Sequence, residues 1–466
     1  MGAHNRTVPQ SSLIRTLLIS SVALITLAAF ENLAVTAVMP VIARELDGLT
    51  LYALAMGLPL ATHVAATAVA ALWVDARSVR WPIVSGVALF SVGLIMAGVV
   101  DTIELVAIGR GISGLGTGLI VVSLYAAVGS IVPAERRPGF FAAFAAAWVV
   151  PGLVGPMIAG YIAQWFSWRW VFLAVGIPCL IAIPIVNRFL ARATAGAQTG
   201  RVVNRDEIVT RARRTLLPAA GVAVAIAVMQ TASSSEKSLP IAVVSLIVAF
   251  VLLPLLLPKG TLTLRPGVPS VVVSRMLGNA VIIAVEAYFL LYLQNERGWD
   301  PGPAGLVVTI GSVTWALGSY AQTRVHDPAK RLRLARVGAV LLTLGAIGAT
   351  TVTLPAVHPA FSIAGWALAG FGMGMMYSIM AVLALEYTPQ ERHGEISGSL
   401  QIADSGGAAI TLSLFGALYV AFGSASIDRY VPGFLLMVAF AALSIVAVRR
   451  VPNLTRPSLP DDASSR

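Results

Sequence analysis

Three carboxylates and one guanidinium stand where their neighbours are almost all apolar. Glu31 sits in LAAFENLAV, in a run with no charge from Leu17 to Phe30 and none again until Arg44. Glu286 sits in IIAVEAYFLLY, Asp404 in SLQIADSGGAAI and Arg110 in LVAIGRGISGLGTG. A charge at the centre of a bilayer costs roughly 2.5–3.5 kcal/mol on insertion scales, so each such residue needs a partner, a wet cavity or a proton. A carboxylate pulled one way by desolvation and the other way by an arginine can release or take a proton as its surroundings change. That chemistry couples the movement of a solute to a proton gradient. Glu31 and Asp404 are read as the proton-active acids, Arg110 as the partner of Glu31, and Glu286 as a cavity acid that attracts cations. A static ion pair is the alternative for Glu31 and Arg110. His63, mid-helix in LATHVAATAV, titrates near neutrality when unperturbed; the alternative is a hydrogen bond to a neighbouring helix.

The elements that position these residues are read from hydropathy. The chain has 466 residues, 57% hydrophobic and 11% charged, with mean hydropathy +0.84. Soluble domains carry about 25% charged residues, so many segments must face lipid. Fourteen stretches of spanning length fall near 16–42, 52–74, 82–100, 103–131, 139–163, 169–190, 216–233, 239–257, 269–294, 303–323, 335–354, 359–386, 395–421 and 431–448. The apolar run that opens the chain is too long for a signal peptide and is read as an uncleaved first span. With the N-terminus in the cytoplasm, most arginines and lysines fall in cytoplasmic loops, including Arg77, Arg80, Arg136, Arg137 and the group from Arg188 to Arg214. That is the positive-inside pattern, and it places both termini in the cytoplasm. It favours fourteen spans over thirteen; twelve would also keep the orientation.

The expected organisation is an all-α membrane protein with two pseudo-symmetric six-helix bundles and two extra central helices. Residues 1–15 form a cytoplasmic N-terminus, 16–190 the first bundle, 191–215 a basic loop and 216–257 the two additional spans. Residues 258–268 are a cytoplasmic linker, 269–448 the second bundle and 449–466 a cytoplasmic tail. Paired halves of this kind are a known transporter plan. Glu31 and Glu286 then lie at similar depth in the opening helices of the two halves and face one cavity. Arg110 is read as the one basic residue clearly inside a span, at the depth of Glu31. Cavity-lining candidates are Glu286, His63, Tyr125, Trp148, Asn279, Tyr288, Tyr292, Trp315, Met376 and Tyr377, with Gln294, Met373 and Met375 beside them. Aromatic and methionine side chains make an adaptable surface for amphipathic, cationic compounds; any one of them can instead face lipid or a neighbouring helix.

The net charge of +11 reflects cytoplasmic loops rather than a nucleic-acid partner. The single Cys179 excludes an internal disulfide. GRGISG (109–114) fits G-x-G-x-x-G, but it lies within an apolar span, where glycines serve close helix packing. No P-loop or metal-ligand spacing occurs, so the reading is of a non-enzyme with no cofactor, energised by a proton gradient.

Several motifs resemble the major facilitator superfamily, and within it the fourteen-span drug:proton antiporters. FENLAVTAVMP resembles that group's first-span signature, with Glu31 where an aspartate is common. WVDARSVR resembles the cytoplasmic motif between spans two and three; Asp75 and Arg80 match it, while Ala71 and Ser78 replace glycines. IGRGISGLG is similar to the fourth-span motif, in which the resemblance gives Arg110 a part in proton transfer. PGLVGPMIAGYI (151–162) resembles the antiporter motif of span five; Gly155, Pro156 and Gly160 match, and Ala159 replaces a glycine. The resemblance associates a bend at Pro156 with export, and simple helix packing is the alternative. It also implies the major facilitator fold, but it carries no substrate.

The leading expectation is a proton-coupled antiporter that exports lipophilic or amphipathic small molecules, multidrug-like, by alternating access. A symporter importing a small nutrient is the alternative. A lipid exporter, or a non-transporting scaffold or sensor whose basic loop binds anionic lipid, is a third reading. Expected partners are a small-molecule substrate and membrane lipids, with no nucleic acid, and the chain is expected to be monomeric. The expected location is the plasma membrane, as a multi-pass protein of a bacterial inner membrane.

Overall fold

The computed structural model describes residues 10–76, 78–133, 136–194, 205–232, 238–325, 327–389, 392–423 and 428–452. Among them are fourteen α-helices: α1 (Gln10–Glu45), α2 (Tyr52–Ala76), α3 (Arg80–Val99), α4 (Ile103–Ile131), α5 (Arg137–Trp165), α6 (Arg169–Thr194), α7 (Arg205–Ala232), α8 (Leu239–Leu252), α9 (Val268–Asn295), α10 (Pro301–Thr323), α11 (Pro328–Thr350), α12 (Pro359–Glu386), α13 (His393–Ala421) and α14 (Val431–Arg449). The helices start where the sequence supplies a start signal. Thr102 accepts a hydrogen bond from the Leu105 amide, and Asp327 accepts from Ala329 and Lys330. Proline opens α9, α10, α11, α12 and α14 within the first two positions, where its missing N–H costs no intrahelical bond.

Thirteen of the helices are long and apolar enough to cross a bilayer. α8 is shorter; together with a 3-10 turn, residues Pro240–Leu256 form one apolar segment. Its side chains at Ile241, Val244, Ile247, Phe250 and Leu255 are exposed, as expected of a helix that meets lipid. α7 begins at Arg205, eleven residues before the apolar stretch and inside the segment read as loop.

Glycines set the packing, and their pattern repeats. In α3 and α4, Gly93 lies against Gly109 and Gly86 against Gly116. In α11 and α12, Gly348 lies against Gly365 and Gly338 against Gly372. α4 also packs on α2 through Gly114 and Pro59, and α12 packs on α10 through Gly374 and Trp315. Each is the same pair of positions counted from the start of its half, so the six-helix repeat is written in backbone contacts. The GRGISG glycines belong to this set, and the Gly111 carbonyl accepts a hydrogen bond from Thr62 at 2.8 Å. They are packing residues, as expected of small residues in membrane helices.

The halves meet along α1–α9, α2–α13 and α5–α10. The motif of span five lies in the last of these: Gly160 abuts the Pro301 carbonyl, and Gly305 abuts the Pro156 carbonyl. The α7–α8 pair straddles the α2–α13 seam. Gln230 of α7 is seated on Gly57 of α2 and donates to the Ala409 carbonyl of α13 at 3.5 Å, while Leu253 reaches Gly406 of α13.

Candidate functional site

Arg110 is the most deeply buried charge of the first half, 2% exposed, projecting from α4 between α1 and α2. Its Nε lies 3.7 Å from Oε1 of Glu31, as the shared depth of the two residues predicts. That distance gives an ion pair but no direct hydrogen bond. Arg110 Nε and Glu31 Oε1 both lack a hydrogen-bond partner. The guanidinium is held instead by α2: Nη1 donates to the Ala55 carbonyl at 2.7 Å and approaches Met56 Sδ at 3.6 Å. His63 follows Met56 by seven residues, on the same face of α2, and is half-buried.

The second half is built differently. Asp404 on α13 does not join Glu31; it pairs with Arg275 on α9, a residue the sequence reading overlooked. Arg275 Nε donates to Oδ1 at 3.2 Å and to Oδ2 at 3.0 Å, and Nη2 donates to Oδ2 at 2.7 Å. Nη2 also donates to the Tyr377 hydroxyl at 2.6 Å, which in turn donates to Asp404 Oδ2 at 2.8 Å. The guanidinium lies 3.9 Å from the centre of the Tyr377 ring, a cation–π contact. Asn279 donates to the Asp404 backbone carbonyl at 3.2 Å, and Trp315 packs edge-on against Tyr377. Arg110 is therefore not the one basic residue inside a span. Arg275 is a second, placed by its side chain at the heart of the other bundle.

Glu286 lies on α9 eleven residues beyond Arg275, on the same face, and is 7% exposed. Among the described residues it has neither an ion pair nor a hydrogen bond. Tyr52, at the start of α2, donates a hydrogen bond from its hydroxyl to the Ala287 carbonyl, beside Glu286.

The lining candidates divide. Tyr125 of α4 is 41% exposed and packs edge-on against Phe144 of α5. Trp148, 44% exposed, lies one turn before Gly152 on the face of α5 that meets α1 and α10. Asn279, Trp315 and Tyr377 are half-buried around the Arg275 network. Tyr288, Tyr292 and Met376 are buried in helix packing. Tyr288 stacks on Phe415 at 3.7 Å, Tyr292 packs edge-on against Tyr430, and Met376 is buried against Gly278. Met373 and Met375 are buried in the same packing. Gln294 is a link between halves: its side chain donates to the Ala37 carbonyl and its own carbonyl accepts from Arg44, each at 3.0 Å. Of the loop motif, Arg80 Nε donates to Asn187 of α6 at 2.9 Å, while the Asp75 side chain and Arg77 lie outside what is described.

The contacts that close the halves against each other gather at the end carrying the α1–α2 turn. They include Arg44–Gln294, Gln294–Ala37, Tyr52–Ala287 and Gly160–Pro301. Tyr125, toward the opposite end of α4, is open.

The profile of the Major Facilitator Superfamily matches residues 19–411 and 287–465. The chain belongs to the major facilitator superfamily. Multidrug efflux pump SdrM of Staphylococcus aureus is 22% identical over 408 residues, 84% of this chain and 87% of that protein. A probable multidrug-efflux transporter of Mycobacterium tuberculosis is 23% identical over 78% of each chain. Multidrug transporter protein MdtP of Bacillus subtilis is 28% identical over 41% of this chain, a match spanning 35% of that protein. Among solved structures, a POT family transporter superposes with TM-score 0.71 at 14% identity, covering 92% of this chain and 95% of that one. A D-xylose–proton symporter gives 0.66 at 14% identity, covering 94% and 98%. At these identities the structures share the fold. The chain is a multi-pass membrane transporter of that fold, with multidrug efflux proteins among its relatives.

Proposed function

We propose that this chain is a proton-coupled antiporter that exports lipophilic or amphipathic small molecules, cationic ones included, by alternating access. It works as a monomer in a bacterial plasma membrane with both termini cytoplasmic. On that orientation the sealed end is the outer one, and the substrate enters from the cytoplasmic end, where Tyr125 is exposed. The observation that carries the reading is the incomplete Glu31–Arg110 pair, with an uncompensated Glu286 in the facing helix.

Glu31 is the proton carrier. Its negative charge is met only by a guanidinium 3.7 Å away, so a proton can replace that contact without breaking a hydrogen bond. Glu286 is the acid that attracts a cation, because a buried carboxylate without a counter-ion gains most from one. A cationic amphipath entering from the cytoplasm is held by the deprotonated acids. Protons taken up from the outer side neutralise them and let it go. Asp404 serves as the counter-ion of Arg275 and fixes α9 to α13; it is not assigned the proton role the sequence reading gave it.

The test uses purified protein in liposomes loaded with ethidium, a lipophilic cation. An imposed proton gradient should drive ethidium against its own gradient, and a protonophore should abolish that movement. Movement unaffected by the protonophore would exclude proton coupling, and cotransport of dye and protons in one direction would identify a symporter.

A further inference from the structure

The two acids assigned above lie in different halves, with no direct contact recorded between them. The first turn of α2 touches the surroundings of both. On one side, the Ala55 carbonyl and Met56 Sδ hold Arg110 Nη1 at 2.7 and 3.6 Å. On the other, the Tyr52 hydroxyl crosses the seam and donates to the Ala287 carbonyl at 2.8 Å, on the peptide unit next to Glu286. The Tyr52 ring is fully buried and packs edge-on against Tyr288 at 5.5 Å and 64°. Ala53 of the same turn is seated against Gly416 of α13. Five contacts thus tie one helical turn to α4, α9 and α13.

We infer that this turn, Tyr52 to Met56, is the link through which the Glu31–Arg110 pair and Glu286 sense each other, with Tyr52 as its positioning residue. The inference rests on the proton-coupled reading for its purpose, but not for its geometry. When a proton neutralises Glu31, Arg110 loses its counter-ion and keeps the α2 acceptors, Ala55 and Met56. A shift of the guanidinium then acts on α2 one turn from Tyr52. The Tyr52–Ala287 bond exists only while α2 and α9 stay together, which is the state sealed at the α1–α2 end. Parting of the halves there breaks it and takes the hydroxyl away from Glu286. The titratable and charged groups recorded around the link are Glu31 from α1, Arg110 from α4, Glu286 and Tyr288 from α9, and Tyr419 from α13 behind Tyr288. Tyr52 shares one helical turn with the Ala55 acceptor of Arg110 and bonds to the carbonyl next to Glu286.

The test reads distance, so it needs no substrate. In a Cys179→Ser background, spin labels at Thr50→Cys and Glu296→Cys report whether the sealed end is closed or open. Tyr52→Phe removes the crossing bond and keeps the ring that packs on Tyr288; Tyr52→Leu removes both and serves as the packing control. At one pH, Tyr52→Phe and Glu286→Gln should each change the closed-to-open ratio. Together they should depart from additivity by about three- to tenfold. Across a pH titration, Tyr52→Phe should shift the midpoint of the change by about one unit, and should shift nothing once Glu286→Gln is present. Strict additivity, or a Tyr52→Phe titration that overlays the wild type while Tyr52→Leu alone perturbs the ratio, would overturn the link. If the wild-type distance ignores pH altogether, the proton-coupled reading fails, and the additivity measurement at one pH still decides whether the two sites are linked.

Discussion

Two buried arginine–carboxylate pairs serve the two halves, and they are built to opposite standards. Arg275 and Asp404 share three hydrogen bonds, and Tyr377 adds two more, one to each partner. Arg110 and Glu31 approach only to 3.7 Å, with a buried atom on each side left without a partner. The repeat does not predict this difference. α1 and α9 occupy matching places, yet the first half pairs α1 with α4 and the second pairs α9 with α13. A tight pair holds two helices at one angle, because parting them exposes two uncompensated charges at once. A loose pair can exchange its contact for a proton or a ligand at small cost. On the proposed reading, one intramembrane ion pair serves architecture and the other is left free for exchange.

That contrast is open to attack by mutation. Asp404→Ala strands Arg275 without its counter-ion and should have the largest effect, a loss of about 3–5 kcal/mol in stability. Thermal unfolding in detergent would read it as a large drop in Tm, and an unchanged Tm would mean the pair is ornamental. Tyr377→Phe keeps the ring under Arg275 and deletes two hydrogen bonds, for an expected cost of about 1–3 kcal/mol. Gln230→Ala removes the polar anchor of α7 in the α2–α13 seam and should cost about 1 kcal/mol; limited proteolysis before and after the change would show whether the α7–α8 pair loosens. Glu31→Gln also strands a buried arginine but loses no hydrogen bond, so its cost should fall clearly below that of Asp404→Ala. A Tm loss for Glu31→Gln as large as that for Asp404→Ala would erase the distinction between the pairs.

Sequence alone carries the fold far. The number of helices, their order and the six-helix repeat follow from hydropathy and from where arginines concentrate. Glu31 and Arg110 could be paired before any coordinates, because each is an isolated charge at the same depth in an apolar run. Arg275 was missed for a physical reason. It lies seven residues into α9, where an arginine reads as one that reaches back toward the membrane surface. Only its fold, turned inward toward a carboxylate 129 residues away, reveals its place. The burial of two lining candidates has another cause. α9 is buried on nearly every face, so Tyr288 and Tyr292 belong to a helix with no polar side to set their orientation. The extra helices were legible as apolar segments, but their seat on the α2–α13 seam depends on Gln230 meeting Gly57, a contact no local pattern announces.

The measurement that bears most directly on the unequal pairs is the proton count of the loose one. Proton movement should be followed with a pH-sensitive dye while ethidium is expelled from liposomes carrying either the wild type or Glu31→Gln. The account predicts that the variant still equilibrates ethidium down its own gradient but no longer moves protons or concentrates the dye. Gradient-driven accumulation with an unaltered proton flux in Glu31→Gln would contradict it.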